Sequence, residues 1–131
     1  MNRIIVNSRI ALGAAGERRA AHYLMLRGYR IVARNVRADR VEIDIIARRG
    51  AVLAFVEVKT RRTRAYGSPE DAVDARKRAR LIRGAAAWLH GHRGQRRPGQ
   101  SIRFDVIACE YTADGADWQL RHLKGAFDAG D

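Results

Sequence analysis

The sequence is poor in cysteine, in lysine and in long apolar runs. A single cysteine, Cys109, excludes an internal disulfide and a four-cysteine metal site, and is read as a small core residue. No stretch approaches the roughly 18 apolar residues of a membrane-spanning helix. The N-terminal "MNRIIVNSRIALGAAGE" lacks the apolar run of a secretory signal, so a reducing cytoplasm is the expected location. His90 and His92 flank Gly91 without the cysteine or aspartate spacing of a zinc site, and His22 and His122 stand alone. No internal repeat is visible, and only residues 91–100 and the segment from Lys124 onward read as loose. One domain spanning residues 1–131 is therefore expected, with a core over about 12–123 and a flexible tail at 124–131.

What is abundant is arginine. With 23 Arg and 3 Lys against 14 acidic residues, the formal charge is +12, which favours an anionic partner, and nucleic acid is the commonest for a domain of this size. Arginine suits bidentate phosphate contacts. Codon composition accounts for arginine excess equally well, so charge alone does not decide the partner.

Hydrophobic periodicity and turn residues predict an α-β-β-β-α-β order with one further strand. The predicted elements are a helix over 11–27 ending at Gly28, strands over 29–36, 41–48 and 51–60, a helix over 69–90, and strands over 102–110 and 117–123. Ser68, Pro69, Glu70 and Asp71 form a strong start signal for the second helix. Its predicted buried stripe is Ala72, Ala75, Ala79, Ile82, Ala86 and Leu89, which leaves Arg76, Lys77, Arg78, Arg80 and Arg83 on the opposite side. That side is either a solvated basic face or a surface that tracks phosphates.

The chemistry concentrates in "VEIDIIAR" and "AVLAFVEVKT", two strands joined through Gly50. Strict alternation puts Val41, Ile43, Ile45 and Ala47 on one face, and Glu42, Asp44 and Ile46 on the other. In the second strand Leu53, Phe55, Glu57 and Lys59 share a face. A turn of Arg49 and Gly50 alone would set Asp44 opposite Phe55, whereas a four-residue loop would set it opposite Glu57. In either register Asp44 and Glu57 are opposite or diagonal neighbours, within reach of one ion. Two such carboxylates repel unless a cation or proton neutralises them, and an oxygen-rich pair suits Mg²⁺ or Mn²⁺. Lys59, one pleat beyond Glu57, could orient a water or offset charge on a phosphorane-like transition state. The competing reading is a set of surface ion pairs. Glu17 falls within the apolar stripe of the first helix, marked by Gly13, Ala20, Ala21 and Leu24, so it either joins the acidic pair or snorkels at the helix start. Arg61, Arg62 and Arg64 leave the strand beside Lys59, where they could clamp a phosphate backbone. Asp105, on the face of Ile107 and Cys109, either reaches the site or, as expected, satisfies local backbone and arginine groups, and Trp88 and Trp118 are expected to pack.

Glu17, then "EID" at 42–44, then "FVEVKTR" at 55–61, with "YGSPEDAV" and "RFDVIA" following, resembles the PD-(D/E)xK nuclease superfamily. More closely it resembles the uncharacterised bacterial YraN family, which is similar to the archaeal Holliday junction resolvases. The likeness covers about residues 12–123. Ile43 stands where the superfamily's motif has proline, and Val41 where the closer relatives usually have glycine. The resemblance implies a restriction-endonuclease-like α/β core with a mixed β-sheet flanked by helices. It implies Asp44 and Glu57 as ligands of Mg²⁺ or Mn²⁺, Lys59 as catalytic lysine, Glu17 as accessory acid, and a homodimer. The function expected is a metal-dependent endonuclease on DNA, branched DNA by analogy, with contacts from Arg61, Arg62, Arg64, Lys77 and Arg80. The alternative is a nucleic-acid-binding module of the same fold that does not cut.

Overall fold

The computed structural model describes residues 2–62, 73–112, 114 and 116–129, with side chains described from residue 11 onward. Helix α1 spans Asn2–Leu26, and strands β1, β2 and β3 follow at Arg30–Ala38, Val41–Arg49 and Val52–Arg62. Helix α2 spans Ala75–Gly91, a 3₁₀ turn spans Arg93–Gln95, and strands β4 and β5 span Ser101–Tyr111 and Trp118–Phe127. The strands form one five-stranded sheet in the order β1-β2-β3-β4-β5, with β3 and β4 parallel and all other neighbours antiparallel. A parallel pair needs a crossover connection, and α2 lies in it. The fold is thus mixed α/β, a mixed sheet with helices against it. No helix among the described residues is long and apolar enough to cross a membrane.

Each sheet face has its own core. On one side Leu81, Ala85 and Trp88 of α2 pack on Val41, Ile43, Ile46, Leu53, Phe55, Phe104 and Val106. On the other, Ala20, Ala21 and Leu24 of α1 pack on Ile45, Ala47, Ala54, Val56, Val58, Ile107 and Cys109. Strict alternation in β2 does not hold: Val41 and Ile43 face α2, while Ile45 and Ala47 face α1. The break falls at Asp44, whose carboxylate turns into the ladder.

Three further expectations need correction. The described second helix begins at Ala75, capped by the Asp74 carboxylate, which accepts from the Lys77 N–H at 2.9 Å. The expected start at Ser68 and Pro69 lies outside the described residues. The buried face of α2 is Leu81, Gly84, Ala85 and Trp88, with Ile82 and Leu89 of the expected stripe packed at its edge, while Ala75, Ala79 and Ala86 are exposed and Ala72 lies outside the described residues. Alanine fits either side of a helix, so the larger apolar residues decided which side faces the sheet. Helix α1 begins well before residue 11, and β5 runs on to Phe127, which is buried and stacks on Phe104 at 5.0 Å. The segment from Lys124 is therefore strand up to Phe127, not a loose tail.

Close approach of helices to the sheet depends on two glycines. A Cβ at Gly16 would lie 2.0 Å from Thr60 Oγ1, so α1 rests its backbone on β3, where Cys109 also donates to the Gly16 carbonyl at 3.4 Å. At Gly84 a Cβ would meet Val41 Cβ at 2.8 Å and its Cγ1 at 2.9 Å. Asp105 on the α1 side is fully buried and accepts from Arg103, from the Gly125 N–H, and at 2.8 Å from His122, tying β4 to β5. Burial pushes its carboxyl up, but these partners hold it down at about 2. It is a brace, as its sequence surroundings suggested, and stands on the face away from Glu57.

Gly84→Ala follows as a packing test. Alanine gains about 1 kcal/mol of helix propensity over glycine, but overpacking a stiff β-branched neighbour costs about 1–3 kcal/mol. Urea unfolding should show a net loss of stability with an unchanged denaturant slope.

Candidate metal and phosphodiester site

The β2–β3 hairpin closes with Arg49 paired to Val52, so only Gly50 and Ala51 lie outside the ladder, and the pairing runs through Ala47↔Ala54 to Ile45↔Val56. This is the register of the longer-loop alternative, in which Asp44 continues opposite Glu57. Backbone pairing ends there. Beyond Ile45, Asp44 Oδ2 accepts the Val58 N–H at 2.8 Å, taking the place of a strand carbonyl. The strands fork, and a cavity of about 230 Å³ opens over the fork, lined by Val41, Glu42, Asp44, Glu57, Lys77, Arg80 and Leu81.

Glu57 is 7% exposed and carries two ammonium groups, Lys77 Nζ at 2.6 Å and Lys59 Nζ at 3.5 Å. Lys59 arrives by strand alternation and Lys77 from the first turns of α2. Burial disfavours the Lys77 ammonium, but its hydrogen bond to Glu57 and neighbouring groups outweigh this and raise its pKa. Lys59 moves the other way: burial first, and then the adjacent Lys77, lower its pKa.

Asp44 has no such partner. None of the ion pairs among the described residues involves it, and its one hydrogen bond comes from a neutral backbone group. Burial first, and the Glu57 carboxylate second, raise its carboxyl from 3.8 to about 7, with Glu17 and Glu42 pushing the same way against the Val58 hydrogen bond. The site thus holds one carboxylate bonded to two lysines and one that forms no ion pair among the described residues, with the Lys77 charge acting on it from across the cavity.

The sequence-predicted residues divide accordingly. Asp44, Glu57, Lys77 and Arg80 share the cavity, and Lys59 reaches Glu57. Lys77 was expected on an outward basic face and instead points into the site; the true orientation of α2 on the sheet accounts for this. Glu17 follows Gly16 at the contact with β3. With its amide nitrogen turned toward α1, Asn35 donates to both Glu17 oxygens at 3.1 Å. Glu17 therefore acts on Asp44 through its charge and does not line the cavity. Among the described residues no three acidic, histidine or cysteine side chains gather to hold an ion, which leaves a pair. Arg61 and the exposed Arg62 end β3, and Arg64 lies outside the described residues. Glu42, Lys77 as a Glu57 partner, and Asn35 were missed as site residues. The positive φ of 51° at Asn35 marks an irregularity in β1 that sequence patterning does not reveal.

A divalent cation suits this donor set. The Asp44 carboxylate opens into a cavity, pays for its burial with a raised pKa, and shares that cavity with a second carboxylate just beyond the end of the ladder, all oxygen donors of the hard type that Mg²⁺ and Mn²⁺ prefer.

A mixed five-stranded sheet carrying a forked acidic pair under the crossover helix defines the class of protein. The chain belongs to the uncharacterised protein family UPF0102, whose profile matches residues 16–109, a span containing Glu17, Asp44, Glu57, Lys59, Lys77 and Arg80. A UPF0102 protein of Symbiobacterium thermophilum is 49% identical over 118 residues, covering 90% of this chain and 97% of the relative. Another, from Trichlorobacter lovleyi, is 45% identical over 119 residues, covering 90% and 91%. A third, from Nocardia farcinica, is 46% identical over 122 residues, covering 93% of each.

The raised Asp44 carboxyl makes a pH prediction. A proton held more tightly in the folded state than in the unfolded one stabilises the fold below pH 3.8, and this contribution is lost as pH rises through about 7. Asp44→Asn removes the ionisation while keeping an oxygen for the Val58 N–H. In urea titrations without divalent cations, its stability relative to the native chain should improve by about 2 kcal/mol between pH 5 and pH 8. An unchanged difference across that range would contradict the shift.

Proposed function

We propose that this chain is a nucleic-acid-binding protein with a restriction-endonuclease-like core that hydrolyses DNA phosphodiesters using a divalent cation. The observation that carries this reading is the fork at Asp44 and Glu57: two carboxylates from adjacent strands, Glu57 buried and paired with lysines, Asp44 half-buried and outside any ion pair of the described residues, with an amine of lowered pKa beside them. This supports the PD-(D/E)xK resemblance of the sequence, in which the same residues are the expected ligands and lysine.

Asp44 and Glu57 would hold Mg²⁺ or Mn²⁺, and the bound ion would supply Lewis-acid polarisation of the scissile phosphate and a more acidic water. The protein's own part is positional. The Val58 N–H fixes the Asp44 carboxylate, and Lys77 fixes Glu57. Lys59, half-buried and with its pKa lowered by burial and by Lys77, is placed to orient an attacking water or, as the ammonium, to neutralise charge on the phosphate oxygens as they become equatorial. Arg80 at the cavity mouth and Arg61 and Arg62 at the end of β3 would hold flanking phosphates without reading base sequence. Branched DNA and a dimeric enzyme are the substrate and assembly that the resolvase likeness suggests.

A second reading rests on the 2.6 Å Lys77–Glu57 pair, which already balances one carboxylate without metal. On that reading the protein binds nucleic acid and does not cut. The two are separated by Mg²⁺-dependent nicking of single-stranded, duplex and four-way DNA. The nuclease reading expects Glu57→Ala and Lys59→Ala each to lower cleavage by about a hundredfold or more, with salt-dependent binding retained. If neither substitution changes cleavage while binding keeps its salt dependence, the protein is the binding module.

A further inference from the structure

A second cavity, of about 240 Å³, lies on the same sheet at the other end of β2, lined by Arg30, Arg48, Gln95, Arg97 and apolar or glycine neighbours. Its distance from the acidic fork follows from strand geometry: four residues separate Asp44 from Arg48, or about 13 Å. Three features make it unusual. Arg48 is only 7% exposed, and its register partner directly across the β1–β2 ladder is Arg30, a like-charged pair where opposite charges or apolar residues are the favourable choice. Among the described residues no carboxylate lines the cavity, and none of their ion pairs involves Arg30, Arg48 or Arg97. Finally, Arg48 spends one terminal nitrogen on the Gln95 backbone and side-chain oxygens, while its Nε is buried without a hydrogen-bond partner.

Burying a guanidinium beside two others, with a donor unsatisfied, is costly unless something negative occupies the space. Burial, Arg97 and Arg30 all depress the Arg48 pKa, in that order. Arginine's planar fork matches tetrahedral oxyanions, and the Arg48 terminal nitrogen not spent on Gln95 can donate to a phosphate oxygen in the cavity, a change in the guanidinium that its own Nε–H senses. The Gln95 contacts hold the guanidinium in place before any ligand arrives, so little side-chain entropy remains to be lost on binding.

We propose that the pocket formed by Arg30, Arg48 and Arg97 binds the oxyanion of a phosphate group, with Arg48 as the buried anchor and Arg30 and Arg97 as its exposed clamps. The site stands on its own geometry, whether or not the acidic fork cuts DNA. The phosphate is either a backbone phosphate of a nucleic acid or a free phosphate or phosphate monoester.

The test follows the Arg48 Nε–H in ¹H–¹⁵N spectra with divalent cations chelated, so that the acidic fork takes no part. Arg48→Lys identifies the resonance by its disappearance. Inorganic phosphate and, separately, a short DNA duplex are titrated against sodium chloride at matched ionic strength. The proposal expects a saturable downfield shift with phosphate that chloride does not reproduce, and about fivefold weaker binding in Arg97→Ala and in Arg30→Ala, both surface changes that leave the core intact. A shift with the duplex as well, at lower concentration, identifies the ligand as nucleic-acid backbone. A shift with phosphate alone identifies a free phosphate or monoester. No shift beyond chloride, or equal shifts in Arg97→Ala and the native chain, overturns the proposal.

Discussion

The site turns on one hydrogen bond, from the Val58 N–H to Asp44 Oδ2. By accepting a donor that a neighbouring strand would otherwise take, the Asp44 side chain ends the β2–β3 ladder and reverses which faces Val41, Ile43 and Ile45 present. It also drags a carboxylate into a half-buried place beside Glu57. The cavity, the carboxylate outside any ion pair of the described residues and the raised Asp44 pKa are all consequences of that exchange of backbone pairing for side-chain pairing. A sheet that paired through this point would be more regular, and its acidic residues would separate onto the surface.

Much of the framework could be read in the residues. The apolar runs on both sides of Gly50, the helix ending at Gly28 and the strand around "RFDVIA" carry periodicities that no other element satisfies, and the mixed α/β order follows from them. The pair of Asp44 and Glu57 was also legible, because opposite and diagonal positions on a hairpin differ by only two residues and both keep the carboxylates together. The register between them was not legible, since either loop length suits Arg49, Gly50 and Ala51; Val52 pairing with Arg49 decides it.

Other features were hidden for identifiable reasons. In α2, alanines lie on more than one side, so period alone allowed two orientations, and only the fit of Trp88 and Leu81 into the sheet, with Gly84 against Val41, selects the right one. That selection turns Lys77 from an apparent surface charge into the partner of Glu57. Phe127 illustrates the opposite error. Small and charged residues around it resemble a tail, yet one aromatic ring against Phe104 is enough to hold the strand in register. Arg48 and Arg30 are invisible as a pair until the pairing of β1 with β2 is known, because nothing in an arginine-rich sequence distinguishes two arginines eighteen positions apart.

The scarcity of lysine gives the acidic fork a separate chemical character. Of three side-chain amines in the chain, two surround a single carboxylate, and one of these, Lys59, is held in a setting that lowers its pKa. Acyl transfer to nitrogen, whether from an activated metabolite or a labelling reagent, proceeds through the neutral amine. The same burial that prepares Lys59 for work on a phosphate therefore makes it more open to acylation than a lysine of ordinary pKa in the same place, and capping it would erase one of the two positive charges beside Glu57.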